Sequence, residues 1–105
     1  MNYRQYKKRR KNRMYIDTFN LDYNISKYIL PRLKIFKETH MTLPPNLIEE
    51  EWNNILDKMI LAFQLYVYED FSECLFKNKK EYEIKTKQLN DGLDLFRKYF
   101  FDLWS

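Results

Sequence analysis

The chain has 105 residues, of which 45% are apolar and 18% aromatic, and its 19 basic and 15 acidic side chains give a net charge of +4. A chain of this size buries roughly 60 to 70% of the surface it exposes when unfolded, which suits one domain with a modest core. One glycine and three prolines argue against a sheet protein built on tight turns, and no apolar run reaches the ~20 residues of a bilayer span.

Cys74 is the only cysteine and His40 the only histidine. A lone thiol forms no internal disulfide, which fits a reducing compartment. One Cys and one His far apart in sequence make neither a zinc site nor a Cys–His nucleophile, so no metal and no cofactor is expected. The basic N-terminus is not followed by the apolar stretch of a secretory signal, and the chain is expected to stay where it is made. Charge is divided unevenly. Arg4, Lys7, Lys8, Arg9, Arg10, Lys11 and Arg13 fall within ten residues that hold no acid, whereas acids outnumber bases over the rest.

Residues 1–14 lack helical periodicity and their like charges repel, so they are expected to form a flexible or only partly helical arm, with residues 15–105 as the folded domain. The body should begin near Thr18. A first helix is predicted over about Leu21–Lys37, with Leu21, Ile25, Tyr28, Ile29, Leu33 and Phe36 as its apolar stripe and Thr18 or Asn20 as its cap. Pro31 interrupts this pattern, removing a backbone donor and leaving the carbonyl near Lys27 without its usual partner. Pro44-Pro45 breaks the chain, and Asn46 followed by Glu49, Glu50 and Glu51 predicts a capped helix start. The second helix is predicted over about Leu47–Tyr68, with Ile48, Trp52, Ile55, Leu56, Met59, Ile60, Phe63 and Val67 inward. Its half from Met59 onward is apolar nearly all round, which places it at the centre of a bundle. Residues 69–80 fit either a short fourth helix or a covering turn, with Lys77-Asn78-Lys79-Lys80 as an exposed corner. The last helix is predicted over about Glu81–Leu103, burying Leu89, Leu93, Phe96, Phe100 and Leu103. Gly92 there invites a close neighbour, and Trp104 suggests a docked end. The expected fold is an all-α antiparallel three-helix bundle.

Three blocks resemble a family of small tailed-phage accessory proteins. They are Asn20-Leu21-Asp22 with Pro31-Arg32-Leu33 and Phe36-Lys37; Glu50-Glu51-Trp52 with Leu56-Asp57-Lys58-Met59-Ile60 and Phe63; and Gly92-Leu93-Asp94-Leu95-Phe96 with Lys98-Tyr99-Phe100 and Leu103-Trp104. The third is the most specific. The resemblance implies a phage origin and a place in the host cytoplasm, and it supplies no chemistry; Asp91 stands where similar members have Glu.

Three functional readings follow. In the first, Arg32, Lys58 and Lys98 meet an anionic, nucleotide-like ligand in a basic, aromatic-lined pocket between helices or between subunits, with Tyr99 or Trp52 stacking on its base, and the protein is a counter-defence binder that sequesters such a signal or inhibits a host protein. The structural alternative makes Asp22, Arg32, Asp57, Lys58, Asp94 and Lys98 inter-helix ties. In the second, the seven cations of the arm neutralise phosphates and the bundle dimerises; the plainer alternative is a solubilising tail. The third, an enzyme using carboxylate pairs such as Asp22 and Asp57 or Asp91 and Asp94, is thinly supported without histidine or a glycine-rich loop. Nine Tyr, eight Phe and two Trp exceed what so small a core hides, so Tyr15, Phe19, Tyr66, Tyr68, Phe71 and Phe101 are expected at the surface and a homo-oligomer is favoured.

Overall fold

Five helices follow one another along the chain: α1 (Tyr3–Asp17), α2 (Leu21–Thr39), α3 (Glu49–Tyr68), α4 (Phe71–Lys77) and α5 (Lys79–Lys98), with a 3-10 turn at Phe100–Asp102. The computed structural model describes residues 2–104, excluding the side chains at positions 6, 12, 13, 17 and 72. The fold is all-α, as expected, and its packed unit is α2, α3 and α5.

The order of side-chain contacts shows both pairings to be antiparallel. At one end of the α2–α3 seam, Phe36 meets Trp52 edge-to-face at 6.5 Å between ring centroids. At the other end, Tyr66 donates a hydrogen bond to Asp22. Along α3–α5, Trp52 meets Tyr99 at 5.5 Å and Lys85 reaches back to Glu69 at 3.0 Å. The middle helix therefore carries the core: Trp52, Leu56, Met59 and Ala62 are wholly buried, with Phe63 and Leu65 nearly so. Leu30 and Leu33 complete the cluster from α2, and Leu95, Phe96 and Tyr99 pack on it from α5.

The buried face of α2 is rotated from the predicted stripe. Ser26, Leu30 and Leu33 are buried, whereas Leu21, Ile25 and Tyr28 are exposed. Ser26 is tolerated there because its hydroxyl donates to the Asp22 carbonyl at 2.8 Å within the helix. The helix continues through Pro31, and Arg32 closes over the turn behind it. Its guanidinium donates to the Tyr28 carbonyl at 2.8 Å and lies 3.7 Å from the Tyr28 ring centroid.

The helix ends also differ from expectation in instructive ways. Asn20 and Asn46 both take left-handed backbone, φ 52° and 65°, which Asn tolerates better than most residues. Asn20 is the N-cap of α2 through its backbone carbonyl, which accepts from the Asn24 amide at 3.0 Å, without a side-chain bond, whereas Asn46 lies in the turn before α3. Helix α3 starts at Glu49, and its start is held by the Ile48 amide donating to Glu51 Oε1 at 3.2 Å. The ambiguous stretch resolves into α4, capped by Asp70, whose carboxylate accepts from the Glu73 amide at 3.1 Å. Asn78 ends α4 and caps α5 through the Glu81 amide at 3.1 Å. Trp104 is exposed, although its carbonyl accepts from the Thr42 hydroxyl at 3.0 Å. The chain end is thus tied through its backbone and not by the indole.

The largest departure is the N-terminal arm, which is helical from Tyr3 to Asp17. Asn2 and Gln5 form a reciprocal capping box, with the Gln5 amide donating to Asn2 Oδ1 at 2.9 Å and the Asn2 amide to Gln5 Oε1 at 3.3 Å. Among the described residues the helix has no packed interface with any other element. The radius of gyration, 17.6 Å, accordingly exceeds the roughly 13 Å of a compact chain this long.

Gly92 sets the α3–α5 spacing. A methyl group at that position would overlap the Ala62 Cβ and the Lys58 backbone carbonyl. Gly92→Ala should therefore destabilise the protein by about 1–3 kcal/mol through overpacking, overriding the gain in helix propensity of about 1 kcal/mol. Thermal denaturation followed by circular dichroism checks this, and an unchanged or raised midpoint would show that the seam yields.

Candidate functional site

Of the five residues expected to bind an anionic ligand, Trp52, Tyr99 and Lys98 lie in a row, and no contact joins Arg32 or the Lys58 side chain to them among the described residues. Trp52 is fully buried between Phe36 and Tyr99, so its ring cannot stack on a ligand. Arg32 is engaged on its own helix turn with Tyr28. Lys98 lies over Tyr99, 5.3 Å from the ring centroid, and that ring packs edge-to-face on Trp52. Lys58 is exposed, with its backbone carbonyl beneath Gly92. Within one chain Lys98, Tyr99 and Trp52 form a packed row, and Arg32 braces the turn at Pro31.

Two of the carboxylates named with them, Asp22 and Asp57, act as ties. Asp57 pairs with Lys37 across α2–α3. Asp22 accepts from Tyr66 at the far end of the same seam. That hydrogen bond, with a second from the Tyr23 amide, holds the Asp22 carboxyl below its ordinary 3.8. The same bond raises the Tyr66 phenol above its ordinary 10.0. Lys85 bridges Glu81 and Glu69, which pushes its ammonium pKa upward. Among the described residues no cluster of three or more His, Cys, Asp or Glu is placed to hold a metal.

A groove does exist, elsewhere. Helices α2 and α5 leave a channel above α3, lined by Ile25, Ile29, Phe63, Leu89, Leu93 and Phe96, with a volume of about 350 Å³. A second hollow of about 560 Å³ adjoins it, sharing Asp22, Tyr66 and Leu89 and adding Tyr23, Tyr82, Glu69 and Thr86. Among the described residues no lysine or arginine lines either part, and the Thr86 hydroxyl is buried there without a hydrogen-bond partner. The groove is apolar at one end and tyrosine-rich and acidic at the other. Tyr66, expected at the surface, is half-buried here, as is Phe71, which packs on Tyr82 at 6.2 Å. Tyr15, Phe19, Tyr68 and Phe101 are exposed as expected.

Positive charge gathers on α1 instead. Arg4, Lys7, Lys8, Arg9, Arg10 and Lys11 are all exposed; the side chain of Arg13 lies outside the described residues. The turn after α1 is fixed by the Thr18 hydroxyl on the Tyr15 carbonyl at 2.6 Å and by the Asn24 amide on the Phe19 carbonyl at 3.0 Å. Among the described residues the helix makes no packed interface with the bundle, and these six cations are exposed to solvent. Sequence reasoning found these residues and missed their helicity; the signal was Asn2-x-x-Gln5, a capping box hidden by the charge run.

No family model, curated protein or solved structure matches the chain.

The Asp22–Tyr66 bond gives a pH-dependent tie. Its stabilisation is present above the ordinary carboxyl value of 3.8 and is lost as pH falls through the depressed value of the folded state. At the alkaline side it is present below 10.0 and is lost as pH rises through the elevated phenol value. Tyr66→Phe should therefore lower the melting temperature most at neutral pH, with the difference from wild type shrinking at both extremes. A series of thermal melts across pH tests this, and a pH-independent difference would show that Tyr66 acts through packing alone.

Proposed function

We propose that the protein is a non-enzymatic, phage-encoded accessory protein of the host cytoplasm that binds nucleic acid through α1. The observation that supports this reading is a helix of 15 residues that carries the chain's densest basic run and has no packed interface with the fold. Burial of an apolar face is what ordinarily holds a short helix in water, and α1 has none. Its like charges at positions 4 and 8 and at 7 and 11 each oppose the helix by about 0.2–0.5 kcal/mol. A polyanion removes that repulsion and releases its own counterions, so binding and helix stability reinforce each other. The body is net acidic, which directs a polyanion to α1 and away from the bundle.

Among the described residues no helix is long and apolar enough to cross a membrane. Exposed Phe19, Leu21, Ile25 and Leu93 supply apolar surface for self-association, and a homo-oligomer would present several basic helices to one polyanion.

A second reading keeps the counter-defence role, with the α2–α5 groove as the site. Its apolar wall and its tyrosines suit a neutral aromatic molecule. Asp22 and Glu69 would repel the anionic nucleotide that the sequence suggested.

Two measurements separate these readings. Fluorescence anisotropy with labelled DNA should give an affinity whose logarithm falls with log salt at a slope of about −5, for about six phosphates neutralised. Removing residues 1–13 should abolish it; binding that survives the truncation would sink the first reading. Native mass spectrometry after incubation with host extract should show no bound small molecule if the first reading holds. A stoichiometric, uncharged aromatic ligand lost in a groove-filling Leu93→Trp variant would move the assignment to the second.

A further inference from the structure

We propose that α1 is a groove-inserting helix for duplex DNA, with phosphates contacted on opposite flanks; this deepens the nucleic-acid reading of the same helix and rests on it. At about 100° per residue, the six described cations spread over about 260° of the helix circumference. Arg4, Lys8 and Lys11 fall on one flank, and Arg9 and Arg10 on the opposite one, with Lys7 between Arg10 and Lys11. All six are exposed, and among the described residues neither flank has a packed interface with another helix.

That distribution favours one kind of polyanion. A helix resting on a single strand needs its cations on one face, because phosphates approach from one side. Cations on opposite flanks are all used only where phosphates stand on both sides, as in a groove between two strands. The major groove of B-form DNA, about 12 Å wide, admits an α-helix, whereas that of A-form RNA is too deep and narrow for entry. At about 1.5 Å per residue, the 15 residues of α1 extend about 22 Å. The groove must also be entered without collision from the body. Among the described residues α1 has no packed interface with another helix, and its C-terminal end passes into a turn held at Asn20 by the Thr18 and Asn24 side chains.

The test uses the full chain with a labelled DNA duplex of about 20 base pairs, either of its single strands and the matching RNA duplex, each titrated across salt. Two variants divide the flanks, K8Q/K11Q and R9Q/R10Q. Glutamine keeps helix propensity while removing charge, and thermal melts should show the bundle unchanged, since among the described residues α1 has no packed interface with it. The expected result is duplex DNA bound about tenfold or more tighter than the other two, with each double variant lowering the salt slope by about 2. Equal or tighter binding of single-stranded DNA or duplex RNA would overturn the duplex proposal, as would sensitivity to only one flank. Either result would leave the nucleic-acid reading of α1 standing. Failure of all three probes to bind at low salt would remove both.

Discussion

The close approach of α5 to α3 at Gly92 is the constraint on which the other packing depends. With no side chain at that position, the α5 backbone lies against Ala62 and the Lys58 carbonyl. Their neighbours Phe63 and Phe96 then meet edge-to-face at 5.1 Å, and Tyr99 reaches Trp52. A wider seam would part these aromatic pairs, which carry attraction beyond their buried area. The same closeness buries α3 on two sides, so the core is organised around one helix and not around a point shared equally by three. Helices α2 and α5 are held to α3 more than to each other, and this arrangement opens the groove between them.

Polar contacts on the body share a pattern. Asp22–Tyr66 and Lys37–Asp57 clamp the two ends of the α2–α3 seam, and Lys85 links α5 to Glu69 beyond the end of α3. Such surface contacts contribute little energy individually, and their value here is alignment. They lie within the folded body, whereas α1 has cations and no acid among its first fourteen positions.

How much of this was legible in the sequence varies with the physics behind each feature. Helices α2, α3 and α5 announced themselves through apolar spacing, because burial is what stabilises them; Trp52, Leu56, Met59 and Phe63 were all placed inward correctly. The rotation of α2 was not legible, since Ile25 and Tyr28 fit the helical period as well as Ser26 and Leu30 do. What decided between them was the groove, a property of how three helices meet. Convergence of Arg32, Lys58 and Lys98 failed for a related reason. Adjacency to core positions in sequence does not fix which way a long cationic side chain turns, and two of these three found an aromatic ring on their own segment. The helicity of α1 escaped because periodicity detects faces, and a helix that buries no face has no period to detect.

That last property has a consequence for how the protein can vary. Residues that set the stability of the bundle and residues that set the charge of α1 do not overlap, and distant sites with no shared partner combine additively. Substitutions in α1 are therefore free of the stability threshold that purges changes in a core. The charge, length and composition of the helix can drift or be tuned by selection while the bundle stays as it is.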